Sequence, residues 1–488
     1  MSILIVTNRL EDWPATIDDV QVVEARTYLT DPAFSDLRNV KVFNLCRSYR
    51  YQSMGYYVSL LAEARGHKPQ PSVATIQGLK THAIVRLVSS ELDELIAKSL
   101  QPIKSDTFTL SIYFGRNMAA RYNRLALSLF NQFQSPLLRA NFARMDNGWQ
   151  LRTIATIAAN EVPVSHWPFV IESARRHFSG HRNGHRTRTR TRFDLAILYN
   201  PADPEPPSDE VALKKFIKAA ARLGLHAELI TRDDYARLAE FDALFIRDTT
   251  FVNNYTYRFS RRAESEKLIV IDDPQSIVRC ANKVYLAELL SRHKVPIPKT
   301  MVVHQGNAGM VGDELGFPCV LKRPDSSFSS GVVKVEDKTA LEARLTEFLA
   351  ESDLVVAQEF LPTTFDWRIG ILDRQPLYAC KYFMARGHWQ IICQERQGQD
   401  RYGKSETIPV ELAPRRAVQA ALKAANLIGD GLYGVDVKES EGRFFVIEVN
   451  DNPNINHHFE DAILKDELYR RVMYVFLKRI EQRKAGLA

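Results

Sequence analysis

The 488-residue chain has no apolar run approaching the ~18 residues that a membrane-crossing helix needs. Its opening, MSILIVTNRLEDW, has neither a basic lead nor a small-residue cleavage site, so it reads as a strand and not as a signal peptide. Cysteine is scarce: Cys46, Cys280, Cys319, Cys380 and Cys393 are odd in number, widely spaced and without a CxxC pair. That argues against a disulfide framework or a thiolate zinc site and favours a reducing cytoplasm. A general excess of one charge is also missing. The net charge is +7, from 65 basic and 58 acidic residues, and the stretch from Arg175 to Arg192 alone holds seven arginines and no acid. The remainder is balanced, which argues against a protein built to coat nucleic acid. What is present is ordinary globular composition, 45% hydrophobic and 25% charged. The length suits about three domains.

Three parts and a linker follow from local pattern. Residues 1–178 read as mixed α/β. Strands are expected at Ile3–Thr7, Val40–Cys46 and Phe108–Phe114, and helices near Tyr56–Arg65 and Asn117–Phe133. A hairpin at 140–157 would turn at Asp146-Asn147-Gly148. Residues 179–192 form a polar, basic linker with no apolar periodicity. Residues 193–275 alternate strands (Phe193–Tyr199, Ala243–Arg247, Leu268–Ile271) with a helix at Asp209–Leu223 that Ser208 would cap, giving a small parallel α/β domain. The third part, 276–488, ends in a helix at Ile463–Arg483. Leu464, Leu468, Val472, Val475, Phe476 and Ile480 fall near one face of it, as a core stripe does.

Chemistry concentrates in that third part. In GVDVKESEGRFFVIEVNDNPN, residues 434–454, two strands flank a polar turn. Glu448 and Asn450 are two apart and share a strand face, and Asp436 can lie across from them. Two carboxylates and an amide oxygen suit Mg²⁺. Acids inside so apolar a run are costly unless paired or metal-bound. In FPCVLKRPDSSFSSGVVKV, residues 317–335, Lys322 precedes a serine-rich turn that includes Ser329, Ser330 and Gly331. Taken alone the turn reads as an ordinary hairpin loop or as a phosphate cradle. LVVAQEFLP, residues 354–362, reads as a buried strand. It is a plain core strand or one whose edge hydrogen-bonds a base. Arg368 and Lys381, on strands joined near Asp373–Pro376, need anions, supplied either by phosphate or by structural salt bridges. Thr249, Thr250, Asn253 and Asn254 sit in a polar turn that either lines a substrate or is solvated.

In order, Lys322, the serine-rich loop, Gln358-Glu359-Phe360-Leu361, Asp366-x-Arg368, Asp436 and Glu448-x-Asn450 resemble the ATP-grasp superfamily over about residues 276–488. Asn282-Lys283 and Val295-Pro296-Ile297-Pro298-Lys299-Thr300 further resemble RimK-type glutamate ligases and glutathione-synthetase relatives. The resemblance implies an α/β (α+β) ATP-grasp fold, with a lid at about 294–362. A pre-grasp domain would precede it at 193–275, and a RimK-like-associated N-terminal domain at 1–178.

The same resemblance implies the roles. Lys283 and Lys322 would contact nucleotide phosphates, with Ser329, Ser330 and Gly331 in the phosphate loop. Glu359 and Leu361 would meet the adenine edge, with Gln358 and Phe360 also in the nucleotide site. Arg368 would stabilise the transferred phosphoryl group. Asp436, Glu448 and Asn450 would hold Mg²⁺, or Mn²⁺. Lys381, Asn452, His457 and His458 would face the acceptor, although the histidines read equally as surface residues. The implied activity is ATP-dependent amide formation through an acyl phosphate, between a carboxylate and an amine, for instance glutamate and a peptide or small metabolite. A homo-oligomer is implied as well. This chain departs from the pattern in having Phe328 among the phosphate-loop serines, and Asn454-Ile455-Asn456-His457-His458 where relatives carry glycines. Two other readings compete: a nucleic-acid- or ribosome-associated ATP-binding protein that uses the 175–192 arginines without ligating, and an ATP-grasp enzyme with a different phosphoryl acceptor.

Overall fold

The computed structural model describes residues 2–37, 40–80, 92–145, 148–179, 192–325, 331–392, 396, 401 and 403–486. The chain divides into two compact units, Met1–Arg192 with Asp233–Glu240, and Phe193–Arg232 with Phe241–Ala488. The segment 233–240, expected inside the 193–275 domain, groups with the first unit. There Ala236 packs among Leu129, Phe130 and Ile154, and its N–H donates to the Asn131 side chain at 3.3 Å.

The first unit holds two sheets. Strands β1 (Ser2–Thr7), β2 (Val20–Glu24), β3 (Val40–Asn44) and β4 (Lys68–Gln70) pair all parallel in the order β2-β1-β3-β4. Strands β5 (Thr107–Tyr113), β6 (Leu137–Met145) and β7 (Gly148–Thr156) form an antiparallel meander. The expected turn residues Asp146 and Asn147 lie outside the described residues, as does most of the 179–192 linker. The helix expected at Asn117–Phe133 begins only at Asn123, because the Asn117 amide side chain is engaged with the Ser111 carbonyl at 2.7 Å.

The second unit opens with strands β8 (Phe193–Tyr199), β9 (Leu225–Ile230), β10 (Ala243–Arg247) and β11 (Ile269–Ile271), all parallel in the order β11-β10-β8-β9. The edge strand β9 has no clean alternation and was not expected. The following helix runs Glu210–Arg222, and Asp209, not Ser208, caps it by accepting from the Ala212 N–H at 2.7 Å. Two antiparallel sheets come next. Strands β12 (Thr300–Val303), β13 (Cys319–Lys322), β14 (Val332–Val335) and β15 (Val355–Glu359) order as β12-β15-β13-β14. Strands β16 (Phe365–Leu372), β17 (Gln375–Phe383), β18 (Ser405–Ile408), β19 (Leu432–Ser440) and β20 (Arg443–Asn450) order as β18-β17-β16-β19-β20. Two antiparallel β-sheets with flanking helices, after a small parallel α/β domain, are the α+β arrangement that the sequence led us to expect. Among the described residues no helix is long and apolar enough to cross a membrane.

The last helix, Asp466–Lys484, starts three residues later than expected. It returns to cover the parallel β8–β11 sheet. Phe476 meets Phe245 edge-on at 5.4 Å, Tyr469 meets Phe216 at 4.7 Å, and Val472 and Ile480 are buried alongside. Fully burying a side chain of this size stabilises by about 1.5–3 kcal/mol, and truncation adds the penalty of a cavity. Phe476→Ala is therefore expected to lower unfolding stability by about 3–5 kcal/mol in urea titrations, whereas substituting exposed Tyr474 is expected to change it by less than about 0.5 kcal/mol.

Candidate active site

Three strands set the centre of the site. Arg368 on β16 lies opposite Asp436 on β19, and Asp436 lies opposite Glu448 on β20. Paired residues share a face, so the three side chains stand in a row. That row depends on a bulge. The β19–β20 turn is two residues, Glu441 and Gly442, both with positive φ (52° and 74°), as a tight hairpin requires. Regular pairing from Ser440↔Arg443 would set Asp436 against Ile447 and put Glu448 on the other face. The register instead shifts between Asp436 and Val437, and the extra residue Ile447 brings Glu448 round to Asp436. Ile447 and Glu448 then both line the same cavity.

The charges in this row are paired. Arg368 grips Asp436 bidentately, through Nε and through Nη2 at 2.8 Å. Gly434 makes room for that reach, since a Cβ there would stand 3.0 Å from the Arg368 Cδ. Burial nonetheless pushes the Asp436 carboxyl above its ordinary value, and the neighbouring Glu448 and Asp366 carboxylates add to the shift. Lys283 Nζ lies 2.9 Å from Glu448. Burial works to raise Glu448, but Lys283, Lys322 and Arg368 outweigh it and hold the carboxyl low. Asn450 places its amide 3.4 Å from Asp436 Oδ2. The same amide nitrogen lies 3.3 Å from the Gly434 carbonyl, so the amide would have to turn over to offer its oxygen to a cation. Two carboxylates and an amide are hard donors that fit Mg²⁺ or Mn²⁺ and leave positions for water and phosphate oxygens.

Lys322 ends β13. It is buried and donates to Gln358 Oε1 at 2.8 Å, and Gln358 in turn donates to Thr300 Oγ1 at 2.8 Å. Burial, with Lys283 and Lys438 nearby, pulls the Lys322 ammonium down to about 8, although Glu448 opposes the shift. One charged residue here, Lys438, was not among the residues singled out in the sequence. Lys438 leaves the same face as Asp436 and binds Asp366 and Thr363, both at 2.7 Å. Lys438 is one basic residue in a charged turn-proximal stretch, and nothing local sets it apart.

The rest of the cavity lining is of another kind. Val320, Val332, Leu361, Ile391, Ile447 and Trp389 give it an apolar wall. Phe360 meets Trp389 edge-on at 5.9 Å. Just before them Glu359 is tied twice to Lys299, its N–H donating to the Lys299 carbonyl at 2.9 Å and its carboxylate accepting from the Lys299 N–H at 2.7 Å. An apolar slot beside an extended segment suits a flat heterocycle. A cluster of lysines with opposed carboxylates suits a polyphosphate with its cation.

Of the expected site residues, Lys283, Lys322, Gln358, Glu359, Phe360, Leu361, Asp436 and Glu448 line this one cavity, and Arg368 and Asn450 join it through Asp436. Ser329 and Ser330 lie outside the described residues, and Gly331 closes the loop with its carbonyl accepting from the Arg323 N–H at 2.9 Å. Lys381 departs from expectation. It pairs across to Trp367, not to Arg368. Its ammonium sits over the Phe365 and Trp367 rings at 5.4 and 5.5 Å and 3.3 Å from Glu406. The cause is a second bulge, between Gly370 and Ile371 in the β16–β17 register, which turns Lys381 to the face opposite Arg368.

Asn452 and His457 are engaged in hydrogen bonds within the fold, and His458 stacks on His457. Asn452 accepts from Arg247 Nη1 at 2.6 Å and donates to the Asp248 carbonyl at 2.6 Å. Arg247, 1% exposed, also donates to Ser208 Oγ and to the Pro207 and Pro453 carbonyls. The His457 N–H donates to Asp209 at 2.7 Å, its ring contacts Lys215 and Asp461 at 2.9 Å each, and His458 stacks on it at 3.7 Å. The segment 452–461 is thereby fastened to 207–215. Among the turn residues, Asn254 caps the helix Tyr255–Ser265.

Residues 25–173 match the RimK-like ATPgrasp N-terminal domain, and residues 280–466 match the RimK-like ATP-grasp domain. The chain is 26% identical over 260 residues to the alpha-aminoadipate–LysW ligase LysX of Saccharolobus solfataricus, covering 49% of this chain and 88% of that protein. It is 28% identical over 222 residues to a probable alpha-L-glutamate ligase of Thioalkalivibrio sulfidiphilus, covering 45% and 71%. A D-alanine–D-alanine ligase structure from Bacillus anthracis aligns over 60% of this chain and 99% of its own, at 18% identity and a TM-score of 0.48.

The Lys322 shift gives a signed expectation. Its ordinary value is 10.5 and its folded value about 8. Between those limits the unfolded chain holds the proton and the folded chain does not, so stability rises with pH across that window. Below about 8 both forms are charged and the cost of burying the ammonium falls fully on the fold. Relative to Lys322→Met, the wild type is expected to gain on the order of 3 kcal/mol between pH 7 and pH 10.5. Urea unfolding of both proteins across that range measures it, and parallel curves would remove the depressed pKa.

Proposed function

We propose that this chain, whose residues 25–173 and 280–466 match the RimK-like ATP-grasp domains, uses the cavity lined by Lys283, Lys322, Asp436 and Glu448 to couple cleavage of ATP to amide formation. It is an ATP-dependent carboxylate–amine ligase that releases ADP and phosphate. The observation that carries the site reading is the row Arg368, Asp436, Glu448 across three strands, with Lys283 and Lys322 beside it and an apolar slot next to it.

In this reading the base of ATP occupies the slot formed by Val320, Leu361, Ile447 and Trp389, against the chain at Gln358–Leu361. Lys283, Lys322 and Lys438 meet the phosphates. Asp436, Glu448 and Asn450 would hold Mg²⁺, and the chemistry it would supply there is neutralisation of phosphate charge. A substrate carboxylate oxygen attacks the γ-phosphorus as the bond to ADP breaks, giving an acyl phosphate. Arg368 stabilises the charge on the transferring group. An amine then attacks the acyl carbon, phosphate leaves, the amine loses a proton, and an amide remains. The ion pairs support this assignment: Arg368 and Lys283 neutralise the two carboxylates that would hold the metal, and they stand beside the space where phosphate would lie.

The named relatives act on amino-acid substrates, alpha-aminoadipate with LysW and, in the probable ligases, alpha-L-glutamate. An α-amino acid joined to a peptide, carrier protein or small metabolite is the corresponding substrate class here.

With Mg-ATP and a pool of amino acids and peptides, substrate-dependent ADP is expected and AMP is not, read by chromatography. Glu448→Gln is expected to lower that turnover by at least ~10²-fold. AMP as product would replace acyl phosphate by adenylyl chemistry, and near-normal turnover in Glu448→Gln would sink the metal assignment.

A further inference from the structure

The first unit contains a cavity that the proposed ligase reaction does not use. Its volume is about 240 Å³. It lies beside the loop that leaves the carboxyl end of β3. In the order β2-β1-β3-β4 the chain runs from β1 outward to β2 and from β3 outward to β4, so β1 and β3 flank the point where strand order reverses. Open parallel sheets bind ligands in the crevice at the carboxyl ends of such strands. From the other side the cavity is closed by Ile76, Leu79 and Lys80 and by Ile154–Thr156 of β7.

The loop after β3 is built to hold its shape. Buried Asn44 donates to the Gly55 carbonyl and to Ser59 Oγ and accepts from the Cys46 N–H. Tyr49 Oη donates to the Asn44 carbonyl at 2.7 Å. The Arg47 N–H donates to Asn8 at 2.7 Å, which ties the loop to the end of β1, and the Arg47 guanidinium is held bidentately by Asp12 at 3.0 and 2.6 Å. Gly55 permits the close approach, since a Cβ there would stand 2.4 Å from the Ser48 carbonyl oxygen. Among the described residues, the backbone N–H groups of Ser48 and Tyr49 donate to no protein acceptor. Successive free N–H groups of this kind favour an anion.

Charge agrees. Arg47 is neutralised by Asp12, and Glu161 faces Arg139 at 3.8 Å. Arg50 and Lys80 remain, and among the described residues neither is paired with a carboxylate. The Lys80 ammonium donates to the Tyr49 carbonyl at 3.1 Å. Apart from Thr156, the other lining is apolar: Ile76, Leu79, Ile154, Ala155 and Ala158. A bare inorganic anion would leave that surface wetted.

We infer that the N-terminal unit carries a second small-molecule site, for an organic carboxylate whose anionic end meets Arg50, Lys80 and the Ser48–Tyr49 amides and whose hydrocarbon part lies on Ile76, Leu79 and Ile154. The site stands whether or not the proposed ligase reading does.

Calorimetric titration of the full chain with succinate, L-glutamate, butyrate, phenylacetate, inorganic phosphate and neutral succinamide tests it. At least one of the four carboxylates is expected to bind, with its affinity reduced at least tenfold in Arg50→Ala/Lys80→Ala and unchanged in Glu448→Gln. Arg50 and Lys80 are exposed, so the double variant is expected to keep the wild-type melting temperature. Four outcomes overturn the inference. One is no carboxylate binding tighter than roughly 10 mM. The second is binding that survives the double variant, and the third is binding lost only in Glu448→Gln. The last is phosphate or succinamide binding as tightly as the best carboxylate.

Discussion

Compensation of buried charge is the constraint on which the second unit turns. Four cations, Lys283, Lys322, Arg368 and Lys438, and three carboxylates, Asp366, Asp436 and Glu448, converge where water is largely excluded. An unpaired charge there would cost several kcal/mol. The fold meets the cost by pairing, Arg368 with Asp436, Lys283 with Glu448 and Lys438 with Asp366. Lys322 has only the neutral amide of Gln358 and accordingly gives up part of its affinity for a proton.

Two single-residue bulges decide what this face presents. Ile447 in β20 rotates Glu448 onto the side of Asp436. The irregularity opposite Gly370 in β17 rotates Lys381 away from Arg368. The same device assembles one pair and removes a fourth partner. Around it the chain is anchored at a distance. Arg247, Asn452, His457 and Asp461 fasten the segment after β20 to the helix that follows β8, and the final helix seals the parallel sheet behind it. Residues after β20 that look chemically active in the sequence are in this way used to hold the strand's exit.

Much of this was legible in local pattern. The β19–β20 hairpin showed in its alternation and polar turn, the β13 and β15 strands in their apolar runs, and the final helix in the spacing of Leu468, Val472, Phe476 and Ile480. Less was legible where partners are remote. Lys438 and Asp366 are 72 residues apart in sequence and 2.7 Å apart in space. Strand β9 mixes polar and apolar residues because it is a half-covered edge. Ser208 looked like a helix cap because it immediately precedes the acidic residues that open the helix. Its hydroxyl went instead to the Ile455 carbonyl, 247 residues away, and left the cap to Asp209.

The sequence by itself determined which strand face Glu448 and Asn450 share, because that follows from the two-residue period of one strand. It also determined that acids buried in so apolar a hairpin would need cations. It could not determine which cations, nor whether Asp436 and Lys381 stand on that face. Those depend on register between strands, and a bulge of one residue inverts every side chain beyond it. The carboxyl-end crevice of the first unit depends likewise on strand order. Loops after β1 and β3, far apart in the chain, meet there only because the sheet places their strands side by side.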